Sequence, residues 1–175
     1  MKQSNNQKGD ERLTEAEKGR DSKDLILVAV DDSEYSKTVA KEASRLAIEK
    51  KADVVFLSVV PIPSVVASEG EIDDGYLREK EDELQGLHKN LIESFFTPNS
   101  GILVESRVLH GNPADKIVKY ADEIDADLIV IGTRGHGRIA SALLGSVSEH
   151  VAKHSKRSVL IVKQEGESEK DRLLS

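Results

Sequence analysis

The chain has 175 residues, 38% hydrophobic and 33% charged, with no Cys and no Trp; this suits one domain with an aliphatic core and excludes disulfides, thiolate catalysis and cysteine-bound zinc. A formal net charge of −7 argues against wrapping nucleic acid, which needs a basic face to displace counterions. It does not argue against a small anion held by backbone N–H groups. No apolar run approaches the ~20 residues of a membrane helix, and no apolar stretch follows the N-terminal charge as in a secretory signal. A cytoplasmic protein is expected, with neither nucleic acid nor membrane as partner.

Residues 1–23 are almost wholly polar apart from Leu13 and Ala16. Such a stretch cannot offset its ordering entropy by burial, so a disordered extension is expected there, and a flexible tail over 165–175. Residues 24–164 form the predicted domain. Leu25 to Val30 is a continuous apolar run, the pattern of a strand buried on both faces. Asp31, Asp32 and Ser33 follow and offer helix caps. Val39, Ala43, Leu46 and Ala47 then recur at helical spacing.

Val54 to Val60 reads as a second strand, stopped by Pro61 and Pro63, with a loop over 61–75. Over 76–96, Leu77, Leu84, Leu87, Leu91 and Phe95 mark one face of a charge-rich helix, either plainly solvated on its other face or offering it to a partner. Ile102 to Leu109 alternates loosely, as an edge strand does. At Asn112-Pro113-Ala114-Asp115 a cap, a first-turn proline and an acid at the positive end predict a helix start. Asp127 to Gly132, a helix from Ser146 to His154, and Ser158 to Lys163 complete the alternation. The order predicts an α/β fold with a doubly wound parallel sheet, a three-layer α/β/α sandwich with right-handed crossovers.

Open parallel sheets bind ligands beyond the carboxyl ends of their strands, so the turns there are the candidate sites. The longest runs from Gly132 to Ser148. Glycines at 132, 135 and 145 let the backbone approach an anion closely. Ser146 opens a helix whose N–H groups suit phosphate, and Arg134, His136 and Arg138 add donors. No Gly-x4-Gly-Lys-Ser/Thr Walker loop occurs, and the dinucleotide fingerprint is missing because the first turn, Val30-Asp31-Asp32-Ser33, has no glycine. His150 and His154 share a helix face, but without a zincin glutamate they read as surface residues, not metal ligands. Asp32 and Ser33 read as caps; Asp31 is a candidate to orient a Mg-nucleotide.

Gly132-x2-Gly135-x9-Gly145-Ser146, set between a strand and a helix and followed by Val159-Leu160-Ile161-Val162, resembles the nucleotide-binding signature of the universal stress proteins. Ile26-Leu27-Val28-Ala29-Val30-Asp31-Asp32-Ser33 resembles that family's opening strand and turn, with Asp32 where glycine is frequent. His110-Gly111-Asn112-Pro113 resembles its third-strand exit. The resemblance spans residues 24–164. It implies strand order 3-2-1-4-5, a Rossmann-like sheet, and a homodimer paired through the last strand. It also implies an ATP site, with Mg or Mn accompanying the nucleotide. Ala29 and Asp31 would line the adenosine pocket, Val59 would meet adenine, and Ile131 and Gly132 would lie by the ribose. Gly135, Gly145, Ser146 and Val147 would hold phosphates, with Arg134 supplying charge beside them. Three functions stay open: a dimeric ATP-binding regulatory or protective module with at most slow hydrolysis, acting on an unknown protein partner; a nucleotidyl transferase or pyrophosphatase-like enzyme; and a nucleotide-free dimeric scaffold.

Overall fold

Five apolar segments become five parallel strands in the order β3-β2-β1-β4-β5. They are β1 (Leu25–Ala29), β2 (Asp53–Pro61), β3 (Val104–Gly111), β4 (Leu128–Gly132) and β5 (Ser158–Val162). The helices between them are α1 (Tyr35–Lys50), α2 (Asp74–Phe95), α3 (Pro113–Glu123) and α4 (Ser146–His154). The computed structural model describes residues 23–62, 74–98, 101–133 and 144–163. The polar extension and the tail fall outside the described residues, except for Lys23.

β1 is buried at every position because it is the central strand and helices cover both of its faces, which is why its sequence does not alternate. The pleat sends successive side chains to opposite layers. Leu25, Leu27 and Ala29 join Leu57, Ile129 and Ile131 against Ile117 and Ala121 of α3 and Val151 of α4. Ile26, Val28 and Val30 join Phe56 and Val130 against Val39 and Ala43 of α1 and Leu91 of α2. The core is aliphatic apart from a few rings such as Phe56 and Phe96, which meet edge-on with centroids 5.8 Å apart. β3 lies at a sheet edge and none of its residues is fully buried, as its loose alternation predicts. No described helix is long and apolar enough to cross a membrane.

Local starts and stops follow side-chain chemistry. α3 begins as expected: the Asn112 side chain accepts from the Asp115 N–H at 3.2 Å, and proline opens the first turn. Just before it, Gly111 has φ +130°, and a Cβ there would come within 3.1 Å of Lys116 Cε. The start of α1 corrects an expectation. Its N-cap is Glu34, with no side-chain cap, so neither Asp32 nor Ser33 caps the helix. Asp31 takes their place in organising the turn. Its Oδ1 accepts from the Ser33 N–H at 3.1 Å and from the Ser33 hydroxyl. A short acid bonding two residues onward makes a turn of its own, so Ser33 belongs to the Asp31 turn and no side-chain oxygen accepts from the first helix N–H groups. β2 and β3 each run further than expected, to Pro61 and Gly111, because their ladder continues to that pair.

Candidate functional site

The strand order reverses at β1, whose neighbours β2 and β4 lead away to opposite edges. Chain connections leave that point in opposite directions, so a crevice opens there. The ends of β1, β2 and β4 line a cavity of about 430 Å³. Helices α1, α2, α3 and α4 close its sides.

Of the sequence-predicted residues, Ala29, Asp31, Val59, Ile131, Gly132, Gly145, Ser146 and Val147 all line this cavity. Arg134 and Gly135 lie outside the described residues, as do His136 and Arg138. The ends of that glycine loop are tied together. The Gly145 N–H donates to the Thr133 carbonyl at 2.7 Å, and the buried Ser148 hydroxyl lies 3.0 Å from the same oxygen. The Thr133 N–H donates to Val162 of β5 at 2.9 Å. The stem of the loop is thus fixed to the sheet. α4 starts at Ser146 with Gly145 as N-cap and no side chain capping it, so the positive end of this helix faces the cavity.

The β1 turn is held equally firmly. The Asp31 N–H donates to the Ser36 hydroxyl at 3.2 Å, and that hydroxyl donates back to the Asp31 carbonyl at 2.5 Å. The carboxylate faces the cavity with one oxygen already engaged by Ser33. Asp32 and Glu83 also line the cavity, and so does Lys80, whose ammonium lies 2.5 Å from Glu83. That contact holds the Lys80 ammonium above its ordinary pKa. Among the described lining residues the fixed side-chain charge is therefore predominantly negative.

The sequence reading missed one wall altogether. Tyr35, Tyr76, Lys80, Ser36 and Ser58 line the cavity from the α1 and α2 side. Behind Ser58 lies His88 of α2, completely buried, with Nε2 2.7 Å from Ser58 Oγ and Nδ1 2.6 Å from Ser106 Oγ. Ser58 Oγ also lies 2.7 Å from the Val30 carbonyl. Burial pushes the His88 imidazole down to about 4. A signal was present: Ser58 interrupts an apolar strand run, and His88 falls on the Leu84–Leu91 face of its helix. Nothing in the sequence pairs the two.

His150 and His154 stack with centroids 4.1 Å apart, and His150 Nε2 lies 3.2 Å from Asp115. Among the described residues no group of three or more potential ligands is placed to hold a metal ion.

A family model described as the universal stress protein family matches residues 24–163. The chain belongs to the universal stress protein family. A universal stress protein of Methanocaldococcus jannaschii is 35% identical over 143 residues, covering 79% of this chain and 81% of its own. Among solved structures, a universal stress protein in complex with cAMP has a TM-score of 0.62 at 28% identity, covering 79% of this chain and 96% of its own. The universal stress protein of Archaeoglobus fulgidus in complex with dAMP has a TM-score of 0.58 at 26% identity, covering 80% of this chain and 98% of its own. The sheet order implied by the family resemblance is the order observed in this universal stress protein.

Proposed function

We propose that this universal stress protein is an adenine-nucleotide-binding regulatory or protective module. It takes ATP with Mg or Mn in the rim cavity, works as a homodimer, and hydrolyses the nucleotide slowly at most. The observation that carries the reading is convergence: residues chosen from separate sequence segments, Ala29 and Asp31, Val59, Ile131 and Gly132, and Gly145 to Val147, line one cavity. Relatives of the same fold solved with cAMP and dAMP support an adenine nucleotide as the class of ligand.

The roles are those the family resemblance implies, and the lining supports them. Ala29 and Asp31 line the adenosine pocket and Val59 meets adenine. Ile131 and Gly132 are the residues proposed for the ribose. Ser146 and Val147 present helix N–H groups to phosphate, whereas the Gly145 N–H is already donated to the Thr133 carbonyl and Gly145 contributes only its lack of a side chain; Arg134 and Gly135 are added on the family resemblance. The carboxylates of Asp31, Asp32 and Glu83 disfavour a bare triphosphate and favour one delivered with a divalent cation, a hard ion that oxygen ligands suit. No imidazole lines the cavity among the described residues, and Asp31 already spends one oxygen on its own turn. The other lining carboxylates are Asp32 and Glu83, and Glu83 is ion-paired with Lys80; with so few candidate bases, slow turnover is the expectation. For the dimer, β5 pairs with β4 on one side only, and its Val159 to Val162 side chains are partly buried.

The acidic lining also favours a second reading, in which the ligand is a monophosphate or cyclic nucleotide. One experiment separates the readings. The protein is purified without added nucleotide and denatured, and the supernatant is resolved by ion exchange at 260 nm. Calorimetry with ATP, AMP and cAMP, with and without Mg, follows. Bound ATP or ADP, with Mg-dependent affinity, is expected. A preference for AMP or cAMP would establish the second reading, and AMP with pyrophosphate as products would point to a nucleotide-activating enzyme. Silence toward every nucleotide would leave the scaffold. Light scattering of the eluting protein tests the dimer.

A further inference from the structure

His88 is not among the residues assigned to the nucleotide, yet it stands within a hydrogen-bonded chain that reaches Val30, between two of them. Valence fixes the direction of that chain. Ser58 has one hydroxyl hydrogen, and the Val30 carbonyl 2.7 Å away can only accept it. The 2.7 Å contact between Ser58 Oγ and His88 Nε2 must then be donated by the imidazole. A neutral ring protonated at Nε2 has a bare Nδ1, so the Ser106 hydroxyl donates to it at 2.6 Å. Three bonds therefore run head to tail, Ser106 to His88 to Ser58 to Val30, crossing from the edge strand β3 to the central strand β1. Bonds aligned in one sense polarise one another in a low-dielectric interior.

The last link ends at a particular place. Val30 is the first residue after β1 and stands between Ala29 and Asp31, both assigned to the nucleotide. Its N–H donates to the Leu57 carbonyl at 3.0 Å, and its own carbonyl has the Ser58 hydroxyl as a donor. The side-chain bond extends the β1–β2 pairing one step past the end of the strand, to where the backbone turns into the cavity.

We propose that His88 is a positioning residue: by donating to Ser58 it locks the serine hydroxyl on Val30 and so fixes the Ala29–Asp31 backbone at the cavity. Packing alone does not explain an imidazole here. An apolar ring would fill the space beside Phe56, whose centroid is 5.8 Å from that of His88, without burying polar atoms. What the imidazole adds is the donor that holds the serine rotamer. Its effect on ligand affinity rests on the nucleotide reading above; its effect on the backbone does not.

The test uses the full chain and four substitutions. H88F removes both imidazole bonds, and S58A removes the final link. H88Q carries an amide N–H to the reach of Nε2, whereas H88N reaches only to the Nδ1 position. Hydrogen exchange by mass spectrometry, without nucleotide, is expected to quicken over residues 29–33 in H88F, H88N and S58A and to return toward wild type in H88Q. ATP affinity, measured well below each variant's unfolding transition, is expected to weaken by about 3- to 10-fold in the same three and to recover in H88Q. The range is that of one hydrogen bond's net contribution. Imidazole nitrogen shifts are expected to show the neutral Nε2–H form at pH 7. Unchanged exchange over 29–33 in both H88F and S58A would overturn the proposal, and so would an Nδ1–H ring. If exchange responds but the wild type binds no nucleotide, the positioning stands and the nucleotide reading falls. If H88F does not fold, S58A and the H88Q–H88N pair make the same decision.

Discussion

The two walls of the cavity are built from the same strands by opposite means. Ala29, Leu57, Val59 and Ile131 face α3 and α4. Val30 and Ser58, one position along, face α1 and α2. The first wall relies on what is small or on the main chain: an alanine, two glycines, and a helix start tied back to its strand at Thr133. The second relies on specific side chains that meet from far apart, Ser58 with Val30 at a separation of 28 and with His88 at 30. A wall of backbone can approach a large anion and tolerates little added bulk. A wall of side-chain hydrogen bonds holds position and is sensitive to the loss of any partner.

Adding bulk to the glycine loop proposed to continue the first wall is the strongest way to test that contrast. Gly135→Val is expected to abolish ATP binding measured by calorimetry while the circular dichroism spectrum stays as in the wild type. Retained affinity would take the phosphates off the glycine loop. Behind the second wall, removing a ring is expected to act on the fold itself. Phe56 is completely buried against Phe96 and His88, and Phe56→Ala should cost about 3–5 kcal/mol in urea unfolding. A smaller cost would mean that α2 collapses onto the space left behind.

The second wall should also respond to acid where the first does not. His88 is depressed to about 4, against about 6.5 in an unfolded chain. Between those values the unfolded chain binds more protons than the folded one, so stability rises with pH through this window. The contribution is complete above about pH 6.5 and is lost progressively as pH falls toward 4. From pH 7 to pH 5 the loss due to His88 is about 2 kcal/mol. Urea titrations at the two pH values should show that difference in the wild type, and H88Q should lack it. An equal pH dependence in H88Q would assign the effect to other groups. The smallest effect belongs to the first wall's side of the sheet: Asn112→Ala removes the α3 cap and should cost about 1 kcal/mol, leaving the pH response intact.

The same contrast explains what the sequence disclosed. β1 was legible because a strand covered on both faces has no polar positions, and α3 because cap, proline and acid stand side by side at 112–115. The two ends of the glycine loop were legible for a related reason: the strand end at Ile131 and Gly132 and the helix start at Gly145 to Val147 stand close in sequence, and both line the cavity. The α1 start was misread because Asp31, Asp32 and Ser33 are all competent caps, and only geometry shows Asp31 taking Ser33 for its own turn. The His88 chain was illegible because each member looks ordinary alone. A serine in a strand and a histidine on an apolar helix face acquire meaning only when α2 is laid across β2 and β3.

One feature of the topology bears on how such a molecule is made. The outer edge of β1 is completed by β4, and the Leu25 N–H finds its acceptor on Asp127, 102 residues further along. As the chain leaves the ribosome, its most apolar strand therefore pairs early with β2 on one side and waits on the other with an open row of donors and acceptors. Pairing across so long a loop is slow, and an open apolar edge is the part of a nascent chain that aggregates or recruits a chaperone. The cavity is completed at the end of this same β1–β4 pair, so the arrival of β4 both covers the open edge and finishes the cavity.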